Sequence, residues 1–257
     1  MSPAGVQLQP AVKIRSSLSS SFAAFACFGL SVPTAGAITI ISGLIGGDLT
    51  DPEDDGVEGN YVYVTNGIGD DTLGGFNAEF GSNDEPGFGG GEFAFNVFDN
   101  RTGAGSDKWC CGQAGGPQIV TATFSQAVSI NQFTLTSGND SVNRDPIDFV
   151  IQGTNAADPW GGGTVWTDIY THTSGDGQIW TTGERSTTAR FDGGGVDFAD
   201  SAFFTTIRMV TTGTQGGSTS GAWFQIGEIE YFGTVIPEPS TFMLFSLAGL
   251  ALLRRRR

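Results

Sequence analysis

Hydrophobic residues between positions 38 and 236 come in short runs separated by clusters of Gly, Asp, Asn and Ser. Several runs alternate with period two, as at Phe133 and Leu135, and that spacing puts one face of a strand in an interior. The pattern predicts strands at Ile38 to Leu44, Tyr61 to Thr65, Glu92 to Val97, Ile119 to Phe124, Ile130 to Thr136 and Phe149 to Gly153. Further strands are predicted at Val165 to Tyr170, Thr187 to Phe191, Phe203 to Thr211 and Trp223 to Phe232. In the last of these Phe224 and Ile226 share a face, and Ile229 follows after a one-residue slip. No amphipathic helix longer than two turns stands out, so an all-β sandwich follows. Residues 46 to 90 are richer in Gly and acid and poorer in apolar residues. They are expected to form an elaborated lead-in to the sandwich or a loosely folded insertion, rather than a separate domain.

The two ends have a different texture. Lys13 and Arg15 precede an apolar run from Phe22 to Val32 and the small residues Ala35, Gly36 and Ala37, the layout of a secretory signal peptide cleaved after Ala37. At the other end Pro237, Glu238 and Pro239 lead into an apolar stretch from Thr241 to Leu253, then Arg254, Arg255, Arg256 and Arg257. That stretch is shorter than the ~20 residues of a comfortable span, yet with Val235 and Ile236 it can cross a thinned bilayer as a single hydrophobic helix. The arginines would stay on the cytoplasmic side, leaving residues 38 to 236 outside. This tail resembles the PEP-CTERM sorting signal of Gram-negative bacteria. The resemblance implies an exosortase as processing partner, with the membrane holding the C-terminus before cleavage. The expected organisation is a signal peptide at 1–37, the Gly/Asp-rich part at 38–91, a sandwich at 92–234 and the sorting signal at 235–257.

Composition narrows the partners. Glycine supplies 40 of 257 residues, which suits short strands joined by many turns. Six of the 12 Lys and Arg, but one of the 27 Asp and Glu, lie in the two ends, so six bases face 26 acids between them, a net near −20. Such a surface repels phosphate backbones, which excludes nucleic acid as a partner, and favours divalent cations. Cys110 and Cys111 are adjacent and cannot staple distant strands. A bond between neighbours would close a strained ring, and two buried thiols are the simpler expectation.

From Phe95 to Cys111 the chain reads FNVFDNRTGAGSDKWCC, and Leu135 leads into TSGNDSVNRDP. Phe149 to Asn155 (FVIQGTN), the Trp166 strand and the closing GEIEYFG from Gly227 to Gly233 follow in order. From about Glu92 to Gly233 this series resembles the discoidin or coagulation-factor type C domain, a galactose-binding-like jelly roll. The resemblance implies a structural Ca²⁺, for which Asp99 and Asn100 would supply turn oxygens, Thr102 a carbonyl or hydroxyl, and Glu228 or Glu230 a carboxylate. Ca²⁺ takes 6–8 hard oxygen ligands and tolerates irregular loops. The segment from Gly103 to Asp107 is longer than the family's usual turn, so the ligand set can differ.

In the loop holding Asn139, Asp140, Arg144 and Asp145, amides and charges can meet an extracellular polysaccharide, or Arg144 can pair with Asp140 or Asp145 and fix the loop. A pyranose face also wants an apolar platform, with Trp160, Trp166, Trp180 and Trp223 as candidates. Trp166 alternates like a core residue, whereas Trp160, between Pro159 and three glycines, is expected to be exposed. Asp51, Glu53 and Asp55 begin like an EF-hand loop, but Val62 stands where its last Glu belongs, so a solvated acidic turn is expected.

Signs of catalysis are weak. His172, the single histidine, reads as part of a hairpin tip, and no nucleophile elbow, phosphate loop or dinucleotide fingerprint accompanies it. Paired carboxylates for glycoside hydrolysis stay open, because their separation cannot be read from sequence. The reading that emerges is a non-catalytic, exported carbohydrate- or polymer-binding protein. The alternatives are a structural matrix or adhesion protein and a cryptic polysaccharide hydrolase.

Overall fold

The hydrophobic runs around Ile119 and Ile130 form one continuous strand, and the fold is organised around it. A computed structural model describes residues 38–51, 78–84, 91–103, 105–110, 116–180, 185–218 and 223–236. Among them the strands are β1 (Thr39–Ile41), β2 (Ala78–Ser82), β3 (Trp109–Cys110), β4 (Gln118–Thr136), β5 (Pro146–Thr154) and β6 (Thr167–His172). They continue with β7 (Thr188–Asp192), β8 (Phe204–Thr214), β9 (Gly217–Ser218), β10 (Gln225–Ile226) and β11 (Glu228–Val235). The signal peptide, the strand expected at Tyr61 to Thr65, and the Pro237 to Arg257 tail lie outside the described residues. Among the described residues no helix is long and apolar enough to cross a membrane.

Strand β4 is 19 residues long and belongs to both layers. Its first half pairs with β2 on one side and β8 on the other, and β8 continues through β5 to β6. Its second half pairs with β11 and β7, and β7 continues to β1. A register shift between Thr123 and Val128 marks the change of layer, as irregularities that bend a strand do. All the pairings are antiparallel, and the fold is an all-β jelly-roll sandwich.

Alternation fills the space between the layers. Phe133 of β4 stacks on Phe191 of β7 with ring centroids 4.5 Å apart, and reaches Tyr170 of β6 at 5.4 Å. Phe149 of β5 meets Phe191 edge-on at 6.1 Å, so the rings tie the two layers together. Near the β2 end Phe80 stacks on Phe98 at 4.7 Å, and Phe98 leans on Tyr231. The slip expected before Ile229 is a bend at Gly227, whose N–H donates to the Thr136 carbonyl, with Phe224, Ile226 and Ile229 all buried.

Several expectations are corrected. Glu92 to Val97 is not a strand: Ala94–Phe98 is a 3-10 turn, with Val97 and Phe98 both buried in succession. The Asn96 side chain donates to the carbonyls of Gly91, Ser106 and Lys108, which holds the turn closed. Trp166 is half-buried rather than core, lying under the Arg208 guanidinium at 3.8 Å. His172 is not at a hairpin tip; it is buried at the end of β6, stacked on Phe149, with Nδ1 2.7 Å from the Ile147 carbonyl. Cys110 is buried and disulfide-bonded rather than a free thiol. Glu53 and Asp55, the rest of the expected acidic turn, lie outside the described residues, while Asp51 itself is buried. Asp48 makes this possible by accepting hydrogen bonds from the Thr50 and Asp51 backbone N–H groups.

Gly233 sits at the bulge between β11 and β4, where an added Cβ would collide with the Ser129 carbonyl oxygen. Gly233→Ala is therefore expected to cost about 1–3 kcal/mol, as overpacking does. Gly162→Ala, with nothing within 4 Å of its Cβ, should leave the urea midpoint unchanged. Equal midpoints for the two variants would contradict the bulge.

Candidate functional site

Polar chemistry concentrates in two places. The first is a buried acidic centre beside β11. Glu228 and Glu230 alternate along the strand, and both are fully buried. Glu230 is committed, with one oxygen accepting from the Gly46 N–H at 2.6 Å and the other from the Thr134 hydroxyl. Neither oxygen of Glu228 accepts a hydrogen bond of good geometry from a described residue. Burial pushes the Glu228 carboxyl well above its usual range, and Asp99, Asp48 and Glu230 push it the same way, while the Asn100 backbone N–H alone opposes them.

Asp99 is buried in the turn that follows Phe98, and its carboxylate accepts from the Arg101 N–H at 3.1 Å. Asn100 takes a left-handed backbone, φ 55°, and its side chain donates to the Asp51 carboxylate at 3.2 Å. Thr102 is half-buried in the same turn. Asp48 is held by the Thr50 hydroxyl and the N–H groups of Thr50, Asp51 and Tyr231, yet burial still raises it to about 7. Among the described residues no three His, Cys, Asp or Glu side chains are grouped so as to hold a metal on their own. A cation here would have to draw on turn oxygens as well, which suits Ca²⁺ rather than Zn²⁺.

The second place is the loop between β4 and β5. Lys108, only 2% exposed, sends its ammonium to Asp140 at 3.1 Å, to the Asn139 side-chain oxygen at 2.8 Å, and towards Glu92 at 3.7 Å. Gln225 of β10, also buried, approaches the same ammonium at 3.4 Å and donates to Asp145 and to the Ser141 carbonyl at 3.0 Å each. For Asp140, burial acts to raise the pKa, but the Ser141 N–H, Lys108 and Arg144 outweigh it, so the net shift is downward. The Arg144 guanidinium lies over the Trp223 ring at 4.6 Å and reaches the Cys110 sulfur at 3.7 Å. Trp223 keeps 55% of its surface exposed.

Asn139, Asp140 and Arg144 therefore do come together, joined by Trp223. Trp160 does not join them. Its loop follows the far end of β5, and the nine residues of that strand set the two loops roughly 30 Å apart. Trp160 is half-buried, with its indole nitrogen enclosed, rather than exposed as expected; Trp223 is the exposed tryptophan. Lys108, Gln225 and Asp48 had no signal in the sequence, since each is an ordinary polar residue in a polar stretch until the fold buries it.

Residues 235–257 match the PEP-CTERM protein-sorting motif. The motif indicates export and anchoring through the C-terminus before processing, which is consistent with the cell envelope or the outside. No curated protein matches the chain. Among solved structures, CpGH89CBM32-5 from Clostridium perfringens, in complex with GalNAc-β-1,3-galactose, is similar at 16% identity and a TM-score of 0.44, over 61% of this chain and 96% of that one. The family 32 module of C. perfringens NanJ, in complex with galactose, is similar at 14% identity and a TM-score of 0.43, over 60% and 93%. A chitosan-binding module from Paenibacillus sp. IK-5 is similar at 20% identity and a TM-score of 0.39, over 61% and 95%.

Asp145 gives the loop a pH signature. Burial lifts its pKa from 3.8 to about 6 despite hydrogen bonds from Gly138 and Gln225. Between those values the folded state keeps a proton that the unfolded chain releases, so the stability due to this group is full below pH ~4 and is lost as pH rises through 6. The shift corresponds to about 3 kcal/mol. Asp145→Asn keeps the accepting oxygen, and urea unfolding should show a flatter pH dependence between 4 and 6.5 than the wild type. Parallel curves would contradict the assignment.

Proposed function

We propose that this exported protein binds carbohydrate without catalysis, at the surface made by Asn139, Asp140, Arg144 and Trp223, and that a structural Ca²⁺ sits beneath its closing strand. The observation that carries the first part is the preorganised polar edge beside an open aromatic ring. A pyranose presents hydroxyls around its rim and C–H groups on its faces. The rim is suited to the amide and carboxylate fixed by buried Lys108, and a face is suited to Trp223. Arg144 already lies over this ring, so the site loses little side-chain freedom on binding.

The support for calcium is Glu228. A fully buried carboxylate without a good donor, among acids and with no base at hand, is costly unless a cation or a proton offsets it. Glu228, Asp99, Asn100 and Thr102 would hold the ion, while Glu230 and Asp48 are occupied by backbone and hydroxyl donors. The ion's role is charge compensation, which fixes the turn before β3 against the closing strand.

On a glycan array, Trp223→Ala and Arg144→Ala should abolish binding, whereas Trp160→Ala, at the opposite end, should retain it. Trp223→Ala should also leave stability within ~0.5 kcal/mol, as exposed substitutions do. Loss of binding with Trp160→Ala alone would overturn the location. A wild type that binds no glycan would favour the structural or adhesive role. For calcium, a hundredfold excess over its Kd should add ~2.7 kcal/mol to stability. Chelator should lower the Tm of the wild type and leave Glu228→Gln unmoved; equal effects on both would remove the ion from this place.

A further inference from the structure

The acidic centre also holds a segment that the discoidin-like part does not include. Residues 46–51 run along the outer edge of β11, whose other edge is paired with β4. Leu49 donates its N–H to the Tyr231 carbonyl at 2.7 Å, and the Tyr231 N–H donates to Asp48 at 2.6 Å. Gly46 donates to Glu230, and the Asn100 side chain donates to Asp51. The arm is thus fastened at four points, and three of the acceptors are carboxylates.

Those fastenings bring Asp48 into the same buried volume as Asp99, Glu228 and Glu230. Docking the arm therefore adds a carboxyl to a place already crowded with them, beside the buried Glu228, whose shift the Asn100 backbone N–H alone opposes. Whatever neutralises Glu228 lowers the electrostatic cost of docking, and by reciprocity the docked arm strengthens the hold on that neutralising ion.

We propose that binding of a divalent cation at Glu228 and docking of residues 46–51 onto β11 are one linked equilibrium, the cation latching the arm over the open edge of the sheet. The latch rests on the calcium reading above and adds to it a moving part. Its release exposes the Tyr231 N–H and carbonyl on an unpaired strand edge, the kind of surface that takes up another strand.

Hydrogen exchange of the full chain, read by mass spectrometry with Ca²⁺ or with chelator, tests the latch. Chelation should speed exchange at residues 46–51 and at Tyr231 by about tenfold or more while β5 and β8 stay protected. Glu228→Gln should keep the arm protected in both conditions. Asp48→Ala, which removes a fastening and no proposed ligand, should weaken Ca²⁺ binding measured by calorimetry by about fivefold or more. Arm exchange indifferent to chelator, with calorimetry still showing bound Ca²⁺, would overturn the latch and spare the calcium site. No bound Ca²⁺ would remove both.

Discussion

Everything in this fold hangs on the continuity of β4. One strand supplies hydrogen bonds to β2, β8, β7 and β11, so neither layer can form without fixing the other. The bend in its middle brings Phe133 and Phe191 over Phe149 and Tyr170, and that aromatic contact closes the sandwich. Loops at the two ends of the layers are then placed at fixed separation. The polar chemistry follows from that placement, because the loop after β4 and the strand β11 both leave from its second half.

Both polar centres depend on burial of charge, with opposite solutions. At the loop the buried cation Lys108 is surrounded by oxygens from Asn139, Asp140, Glu92 and Gln225, a compensated arrangement that makes the loop rigid. Beneath β11 the ionisable groups that face one another are all acids, and burial lifts Asp48 to about 7. The first centre is complete in itself and presents a finished surface. The second leaves the buried Glu228 carboxyl to be offset by a proton or by the proposed cation.

The strand periodicity was legible: most runs at β5, β7, β8 and β11 lie within a few residues of their expected bounds. The failures have physical causes. Ser125, Gln126 and Ala127 look like a turn between two strands, but the backbone runs extended through them from the part paired with β2 and β8 to the part paired with β11 and β7. Phe95 and Val97 alternate, yet Asn96 closes a 3-10 turn with its side-chain amide, and alternation cannot reveal that. Asn139, Asp140 and Arg144 could be picked out as one loop, whereas their nearness to Trp223 and their separation from Trp160 required knowing how the ends of β5 are placed. Asp48 and Lys108 were invisible, because burial of a charged residue is a property of the fold rather than of its neighbours in the chain.

In the function proposed above, the polar loop and the exposed Trp223 hold a polymer at the cell surface, and that proposal is local enough to be tested residue by residue. The direct measurement is the indole N–H spectrum of the full chain, titrated with polysaccharide purified from the envelope of the bacterium that makes it. The account predicts that the Trp223 signal shifts with saturable dependence while Trp160 and Trp180 stay in place. A Trp223 signal that never moves, or a shift confined to Trp160, would contradict it.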